Sequence, residues 1–213
     1  IQPFGRSVNQ VGPAVYDATS RSIESSNVVS IMEKLRTEYG ILVMSQVPID
    51  ISENEDHPIA VPKESNLRLW AAMIHNADHF LGCDSVGQHI VKALNKTATV
   101  VIGSTYPINI SYPDDKDFDI IDVGKDKRVY SPIRLTMDDE RDRANNDCIV
   151  MDEKEIQLVV DSVKKRMGKG KKFEGTVEKH VHTNKCNHDD SSNYTKESPV
   201  KIPEGLKLME EQG

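Results

Sequence analysis

The stretch Phe80-Leu-Gly-Cys-Asp-Ser-Val-Gly-Gln-His89 decides the fold of this chain. Its first residues form a short apolar run that ends at Gly82, which is typical of a strand. Asp84 and Ser85 then provide side chains of the kind that cap helix N-termini. Apolar residues follow at helical spacing, namely Val86, Ile90, Val91 and Leu94. The stretch therefore predicts a strand that turns sharply into a helix.

A strand-to-helix junction of this kind suits an anion. The first N–H groups of the helix have no partner within it, and the positive end of the helix dipole points at the same place. The phosphates of a nucleotide fit such a site. Asp84 and His89 lie on either side of the junction, so both could face one ligand. The alternative is that Asp84 only caps the helix and that His89 is an ordinary core or surface histidine.

The segments around the junction alternate between apolar strands and amphipathic helices. Residues 1–7 have the pattern of a strand end that breaks at Pro3 and Gly5, and a long polar loop is expected up to Ser26. Asn27 is predicted to cap a helix, and residues 41–44 form an apolar strand buried on both faces. The other predicted elements are strands near Ile59 and at 97–103 and 120–123, a helix at 66–75, and a helix that begins at a capping box of Asp152 and Glu155 and ends at Met167.

This alternation predicts an α/β fold, a three-layer Rossmann-like domain with a mostly parallel sheet over residues 1–167. Residues 168–213 contain few apolar side chains and are expected to form a polar, mostly disordered tail. Ligands of such folds bind at the carboxyl ends of the strands. Three strand-end loops are therefore candidates, but they can share a ligand only if their strands are close in the sheet: Gly5-Arg6-Ser7, residues 82–89, and Gly103-Ser104-Thr105.

Composition narrows the class of function. The chain has 213 residues and a net charge of −7, which argues against nucleic acid as a partner. No apolar run approaches the ~20 residues of a membrane span, so no transmembrane segment is expected. Three scattered cysteines suit a reducing cytoplasm better than a disulfide framework, which favours a cytoplasmic location. The chain begins at Ile1 without a Met, so we expect it to be a fragment of a longer protein.

The ordered set of segments resembles the C-terminal half of glycosyltransferase family 9, the heptosyltransferase-like enzymes. That family has a strand end of the type h-P-G, then a-D-x-F-h-G, D-S/T-G-x-x-H and G-x-T-x-P in this order. The similarity spans about residues 1–167. The matching residues are Pro3-Phe-Gly5, Asn76-Ala-Asp-His-Phe-Leu-Gly82, Asp84-Ser-Val-Gly-Gln-His89 with Ala93, and Gly103-Ser-Thr-Tyr-Pro107.

The resemblance implies the donor-binding half of a GT-B type glycosyltransferase that transfers a hexosyl or heptosyl group without a metal or cofactor. A nucleotide-diphosphate sugar would lie at the strand ends. The carbohydrate or glycolipid acceptor and the general base would belong to an N-terminal domain, so this chain alone is not expected to be active.

The resemblance also implies roles for single residues. Asp84 would hold sugar hydroxyls, and His89 would hydrogen-bond the departing phosphate or, if protonated, neutralise its charge, so these two are the predicted catalytic residues. Ser85 and the amides of residues 86–88 would face the diphosphate, and Gly5 to Ser7 would approach the phosphates from the first loop. The predicted donor-binding residues are thus Gly5, Arg6, Ser7, Asp84, Ser85, Val86, Gly87, Gln88, His89, Gly103, Ser104 and Thr105.

Two features depart from the family pattern. The glycine expected after Ser85 is one position later, at Gly87, so the turn can differ. The basic residue expected after the first loop has no clear match, and Arg6 and Arg21 are its candidate replacements.

Two other functions stay open. The chain could be a non-catalytic nucleotide- or sugar-binding α/β domain, or a fragment with no activity of its own. An acid/base enzyme built on Asp84 and His89 alone is disfavoured, because no nucleophile motif such as G-x-S-x-G is present. The tail could bind zinc structurally or adventitiously, or simply be solvated. Its four residues of zinc-ligand type are His180, His182, Cys186 and His188, and they lack the paired loops of known zinc modules.

Overall fold

A computed structural model of the chain describes residues 1–6, 8–11, 14–17, 19–62, 66–128 and 149–168. Ser7 and residues 169–213 lie outside the described residues, so the predicted tail and its His180, His182, Cys186 and His188 stay predictions. All described residues belong to one compact unit, Ile1–Glu174.

The described residues contain seven strands and five helices. The strands are β1 (Val8–Val11), β2 (Ala14–Asp17), β3 (Ile41–Leu42), β4 (Ile59–Ala60), β5 (Phe80–Cys83), β6 (Ala98–Ile102) and β7 (Phe118–Asp122). The helices are α1 (Ser25–Leu35), α2 (Leu67–Asn76), α3 (Val86–Ala93), α4 (Pro107–Ile110) and α5 (Glu153–Met167).

The first two residues join the strands into one parallel sheet. Strands β5, β6 and β7 pair in parallel, and so do β3 and β4. The Ile1 nitrogen donates to the Leu42 carbonyl at 2.6 Å, and the Met44 nitrogen donates to the Ile1 carbonyl at 2.8 Å. On the opposite side the Gln2 nitrogen donates to the Leu81 carbonyl at 2.8 Å. The order across the sheet is therefore β4, β3, residues 1–2, β5, β6 and β7.

Counted along the chain from residues 1–2, this is the order 3-2-1-4-5-6 of doubly wound nucleotide-binding folds. The predicted α/β fold with a mostly parallel sheet is confirmed at this level. The order also reverses between residues 1–2 and β5, and in such folds this reversal is where ligands bind.

Helices cover both faces of the sheet because the strand side chains alternate between two apolar clusters. Leu81 and Val101 pack with buried residues of α1 and α5, such as Ile31 and Val159. Phe80, Val100 and Ile102 pack instead with Trp70 and Ile74 of α2 and Val91 of α3. The result is three layers, with the strand ends free to carry loops.

Two local predictions are wrong. The segment expected to be a long polar loop contains the antiparallel hairpin of β1 and β2, since Val8, Val15 and Tyr16 favour strand pairing. The helix α1 begins at Ser25 with Glu24 at its N-cap, so Asn27 does not cap it. Asn27 is buried and its amide group binds the backbone of Met151 instead, donating at 3.4 Å and accepting at 3.2 Å.

Most other elements lie where they were predicted, although β3 covers only Ile41–Leu42 of the strand predicted at 41–44, and Leu42 is 38% exposed instead of buried. The capping box of Asp152 and Glu155 is present at the start of α5, with both reciprocal hydrogen bonds formed. Asn66 caps α2 through its side chain, which accepts from the Arg68 nitrogen at 2.9 Å. Both motifs act over a few residues of chain, and this explains why the sequence reveals them.

Candidate functional site

The three candidate loops follow neighbouring segments of the sheet. The first follows residues 1–2, the second follows β5 and the third follows β6. Because these segments are adjacent and parallel, their carboxyl ends meet at one edge. The structure therefore brings together the loops that the sequence could only name separately.

Asp84 is the central residue of this edge, with a side chain only 5% exposed. Its Oδ2 accepts a hydrogen bond from the Thr105 hydroxyl at 2.8 Å, and its Oδ1 accepts one from Gln88 Nε2 at 3.2 Å. The guanidinium of Arg21 reaches to 4.0 Å from Oδ2 and is one third exposed. Asp84 is thus tied to the third loop through Thr105 and lies close to Arg21 of the segment that follows the hairpin.

The environment of Asp84 works against its charge. Burial raises the pKa of the Asp84 carboxyl above its ordinary value, although the Thr105 hydroxyl and the charge of Arg21 act in the opposite direction. Each oxygen of the Asp84 carboxylate accepts one hydrogen bond, and Arg21 lies 4.0 Å away, so the remaining lone pairs can accept further O–H donors.

The segment that follows the hairpin, from Asp17 to Ser22, packs against both the first and the third loop. Burial of Asp17 would raise its pKa, but hydrogen bonds from the Ser22 and Thr19 side chains and nitrogens lower it overall. The Ser22 hydroxyl in turn accepts from the Gly5 nitrogen at 2.9 Å. The Ser104 hydroxyl of the third loop donates to the Thr19 carbonyl at 3.0 Å. These bonds fix the first loop against the third.

The second loop does not use its side chains as caps, contrary to the prediction. Ser85 occupies the N-cap position of α3 but makes no capping bond. Its hydroxyl accepts from Gln2 Nε2 at 2.9 Å, while Asp84 is taken by Thr105 and Gln88. Partners from neighbouring strands replace the helix nitrogens, so the first N–H groups of α3 receive no bond from these side chains.

The glycine at position 87, one residue later than in the family pattern, is explained by the close packing of α3 against the sheet. It lies in the first turn of α3 and is buried against the preceding strands. A Cβ at this position would overlap Gln2 Oε1 and would lie 2.5 Å from Phe80 Cζ. Only a glycine lets the helix start this close to the sheet. Gln2 Oε1 is itself buried and has no hydrogen-bond partner among the described residues.

His89 points elsewhere. Its Nδ1 lies 2.9 Å from the hydroxyl of Tyr112, and the two rings meet edge to face at 5.8 Å. His89 is exposed and makes no hydrogen bond with Asp84 in the described structure. Beside Tyr112 lies a shallow groove of about 550 Å³, lined by Ile108, Ser111, Tyr112, Pro113, Asp114, Asp115 and Lys116.

The remaining predicted residues have mixed positions. Gly5, Ser104 and Thr105 are buried at the edge, whereas Arg6 is exposed beside it. Val86 was predicted on the apolar face of the helix but is 39% exposed. Ser7 lies outside the described residues.

We call the polar residues that meet here the edge cluster: Gln2, Asp17, Thr19, Arg21, Ser22, Asp84, Ser85, Gln88, Ser104 and Thr105. Gln2, Asp17, Thr19 and Ser22 were not predicted as site residues. Gln2 carried one usable signal, because a polar side chain at the end of a predicted strand needs a partner if it is buried. The residues of the hairpin return carried none, since their role depends on a turn that the sequence did not reveal.

In the described ranges, no group of three or more His, Cys, Asp or Glu side chains is placed to hold a metal ion. No helix in the same ranges is long and apolar enough to cross a membrane. Comparison of the chain with family models, curated proteins and solved structures gave no match. The site is therefore interpreted from its own geometry and from the resemblance of its motifs.

Proposed function

We propose that this chain is a donor-binding domain of a glycosyltransferase and binds a nucleotide-diphosphate sugar at the edge cluster. One observation carries the proposal: three loops from adjacent parallel strands meet where the strand order reverses. Nucleotides bind at this position in doubly wound folds. The heptosyltransferase-like motifs fall on the same loops, which supports the transferase class.

The carboxylate of Asp84 suits sugar hydroxyls. It has about four acceptor positions, and the described structure uses one on each oxygen. Its burial excludes competing water, so an added O–H donor gains more than it would at the surface. Asp84 therefore holds the sugar in the proposed complex.

The diphosphate needs positive potential near this carboxylate. Arg21 lies 4.0 Å from Asp84 on the segment after β2, and Arg6 is exposed on the first loop. The first turn of α3 adds N–H groups and the positive end of its dipole. These groups stabilise the charge that develops on the leaving diphosphate, which is the part of catalysis available to a donor domain. Arg21 takes the place of the basic residue missing from the family pattern.

Titration calorimetry with nucleoside diphosphates and their sugar conjugates tests the proposal. Asp84→Asn is expected to weaken binding of a nucleotide sugar about tenfold, since one charge-assisted hydrogen bond is lost. The same variant should bind the plain diphosphate within about twofold of the original chain, because Asp84 contacts only the sugar. Arg21→Gln should weaken both ligands.

Two matched controls lie away from the edge. Asp161→Asn alters an exposed carboxylate of α5 that accepts from Gln157 at 2.9 Å. His89→Ala is expected to weaken binding of the diphosphate, as the resemblance implies. His75→Ala is its control, because both histidines are exposed on helices. Absence of binding across adenosine, guanosine, uridine and cytidine diphosphates, or equal losses in the controls, would contradict the proposal. Binding without transfer to any acceptor in the presence of an acceptor domain would favour the non-catalytic alternative.

A further inference from the structure

Arg128 links the third loop of the site to Asp122 at the end of β7. Its Nη1 lies 2.7 Å from the Gly103 carbonyl oxygen and 2.8 Å from that of Thr105. Both terminal nitrogens also bind the Asp122 carboxylate, each at 2.6 Å. The side chain is 2% exposed, and its guanidinium lies 4.6 Å from the centre of the Tyr106 ring. Arg128 is therefore a fixed, neutralised cation and not a free one.

A glycine allows this arrangement. The turn after β7 passes so close to the third loop that a Cβ at Gly124 would overlap the Gly103 carbonyl oxygen and lie 2.7 Å from its carbon. The Val123 nitrogen donates to the Ile102 carbonyl at 2.9 Å. The loop is thus held at its start by β7 and along its length by Arg128.

The geometry of the peptide bond sets where the loop nitrogens point. In a trans peptide the C=O and the following N–H point in opposite directions, and no cis peptide occurs among the described residues. The carbonyls of Gly103 and Thr105 point at Arg128, so the N–H groups of Ser104 and Tyr106 point away from it. Neither nitrogen donates a hydrogen bond to any described residue.

The other side of the loop faces the edge cluster. The Thr105 hydroxyl donates to Asp84, and the Ser104 hydroxyl donates to the Thr19 carbonyl. Two unused N–H groups aimed in one direction form the kind of concave donor set that binds phosphate oxygens.

We propose that Arg128 is a positioning residue, which turns residues 103–106 so that the Ser104 and Tyr106 nitrogens donate to the diphosphate of the donor. The proposal rests on the proposed function, because it assigns these nitrogens to the same ligand. Arg128 itself does not touch the ligand, since Asp122 and two carbonyls bind both of its terminal nitrogens.

Arg128→Lys is the main test, because lysine keeps the charge but cannot bind two carbonyls and a carboxylate in one plane. Arg36→Lys is a matched control. Arg36 is also buried, at 3% exposure, and also binds a carboxylate and two carbonyls, those of Glu33, Ser52 and His57. Both variants should lower the unfolding temperature, whereas only one should alter the diphosphate site.

Calorimetry is run below the unfolding temperature of both variants, with a nucleoside diphosphate and with its parent nucleoside. Arg128→Lys is expected to weaken the diphosphate about fivefold or more while changing the nucleoside less than about twofold. Arg36→Lys should change neither. A diphosphate loss no larger than that of Arg36→Lys, or an equal loss for the nucleoside, overturns the role of Arg128 and leaves the proposed function standing.

Amide spectra of the unaltered chain keep the test independent of variant folding. The Ser104 and Tyr106 amide resonances should shift with the diphosphate and not with the nucleoside. If the chain binds the diphosphate but these two resonances do not move, the positioning role is wrong. If the unaltered chain binds no diphosphate, the proposed function fails and this inference fails with it.

Discussion

The edge cluster can be compared with a second polar network on the same sheet, under α5. There the two ring nitrogens of His79 lie 2.8 Å from the Thr97 hydroxyl and 3.0 Å from the Thr99 hydroxyl. The Thr99 and Ser162 hydroxyls are 2.7 Å apart, and Ser162 donates to Asp119 at 3.0 Å. We call this set the face cluster: His79, Thr97, Thr99, Asp119, Ser162 and Arg166.

Asp119 of the face cluster and Asp84 of the edge cluster have pKa shifts of opposite direction, whereas the pKa of Asp17 in the edge cluster is lowered like that of Asp119. Hydrogen bonds from Arg166, whose Nε lies 2.9 Å from Asp119, lower the pKa of the Asp119 carboxyl despite partial burial. Burial raises the pKa of Asp84, whose guanidinium neighbour stays 4.0 Å away. Burial also lowers the pKa of His79 to about 4, so the face cluster contains a neutral histidine.

The face cluster is therefore expected to stabilise the fold, whereas the buried carboxylate of Asp84 in the edge cluster is expected to lower the free energy of unfolding. Asp119 contributes favourable charge interactions, whereas Asp84 is buried without full compensation. Uncompensated carboxylates at strand ends are a mark of ligand sites, because the ligand supplies the missing partner. The comparison predicts that changes in the face cluster act on stability and changes at Asp84 act on binding.

The largest expected effect is on stability, at Gly87. Gly87→Ala forces a methyl group into Gln2 and Phe80, and overpacking of this kind costs about 3 kcal/mol. Thermal or urea unfolding measures the loss. Gly5→Ala is the control, because its methyl group would lie 3.8 Å from the Ser22 hydroxyl in ordinary contact. Equal stability of the two variants would contradict the close approach of α3 to the sheet.

The next effect sharpens the comparison on the side of the face cluster. Thr99→Val leaves His79 and Ser162 without the hydroxyl that joins them, in a site with no exposure at Thr99. We expect a loss of about 2 kcal/mol in the free energy of unfolding. Thr97→Val should lower the free energy of unfolding by less, because the Thr97 hydroxyl contacts His79, whereas the Thr99 hydroxyl contacts both His79 and Ser162. Nucleotide binding should stay unchanged in both variants. A loss of binding would contradict the proposal that the face cluster acts on stability and Asp84 on binding.

The smallest effect is a pH dependence of opposite sign. Asp84 has a raised folded-state pKa, so its contribution to stability declines as the pH rises from 3.8 through the raised value. Asp119 has a lowered pKa, so its contribution is present above 3.8 and declines as the pH falls through the lowered value.

Unfolding measured across this range should therefore separate the two carboxylates. As the pH rises, the free energy of unfolding of Asp84→Asn is expected to increase relative to that of the original chain. The free energy of unfolding of Asp119→Asn is expected to decrease relative to it, and each change is about 1 kcal/mol or less. Curves with the same sign for both variants would show that the two carboxylates have similar environments.

The parts of the fold that were predictable depend on near neighbours in sequence. The β5–α3 junction shows in its apolar runs, and the start of α5 shows in the spacing of Asp152 and Glu155. The strand order was not predictable, because it depends on hydrogen bonds from residues 1–2 to β3 and β5, 40 and more positions away. Asn27 failed as a cap for the same reason, since Met151 is 124 positions away.

The candidate site divides in the same way. Asp84, Ser104 and Thr105 follow predicted strands, so their place at the edge could be expected once the strands were adjacent. Arg128 gave no signal, because an arginine in a charged turn shows nothing of the two carbonyls that it binds. The role of Asp17 was not predictable, because it depends on the β1–β2 hairpin and the polar composition of this segment predicted a loop.

The most direct test of the central claim is a map of amide chemical shifts during titration with a nucleoside diphosphate. The account predicts shifts at Gly5 and Arg6, at residues 84–89 and at residues 104–106, with the amides of Asp119 and Ser162 unchanged. Shifts concentrated in the face cluster, or no shifts at saturating nucleotide, would contradict the assignment of the edge cluster as the donor site.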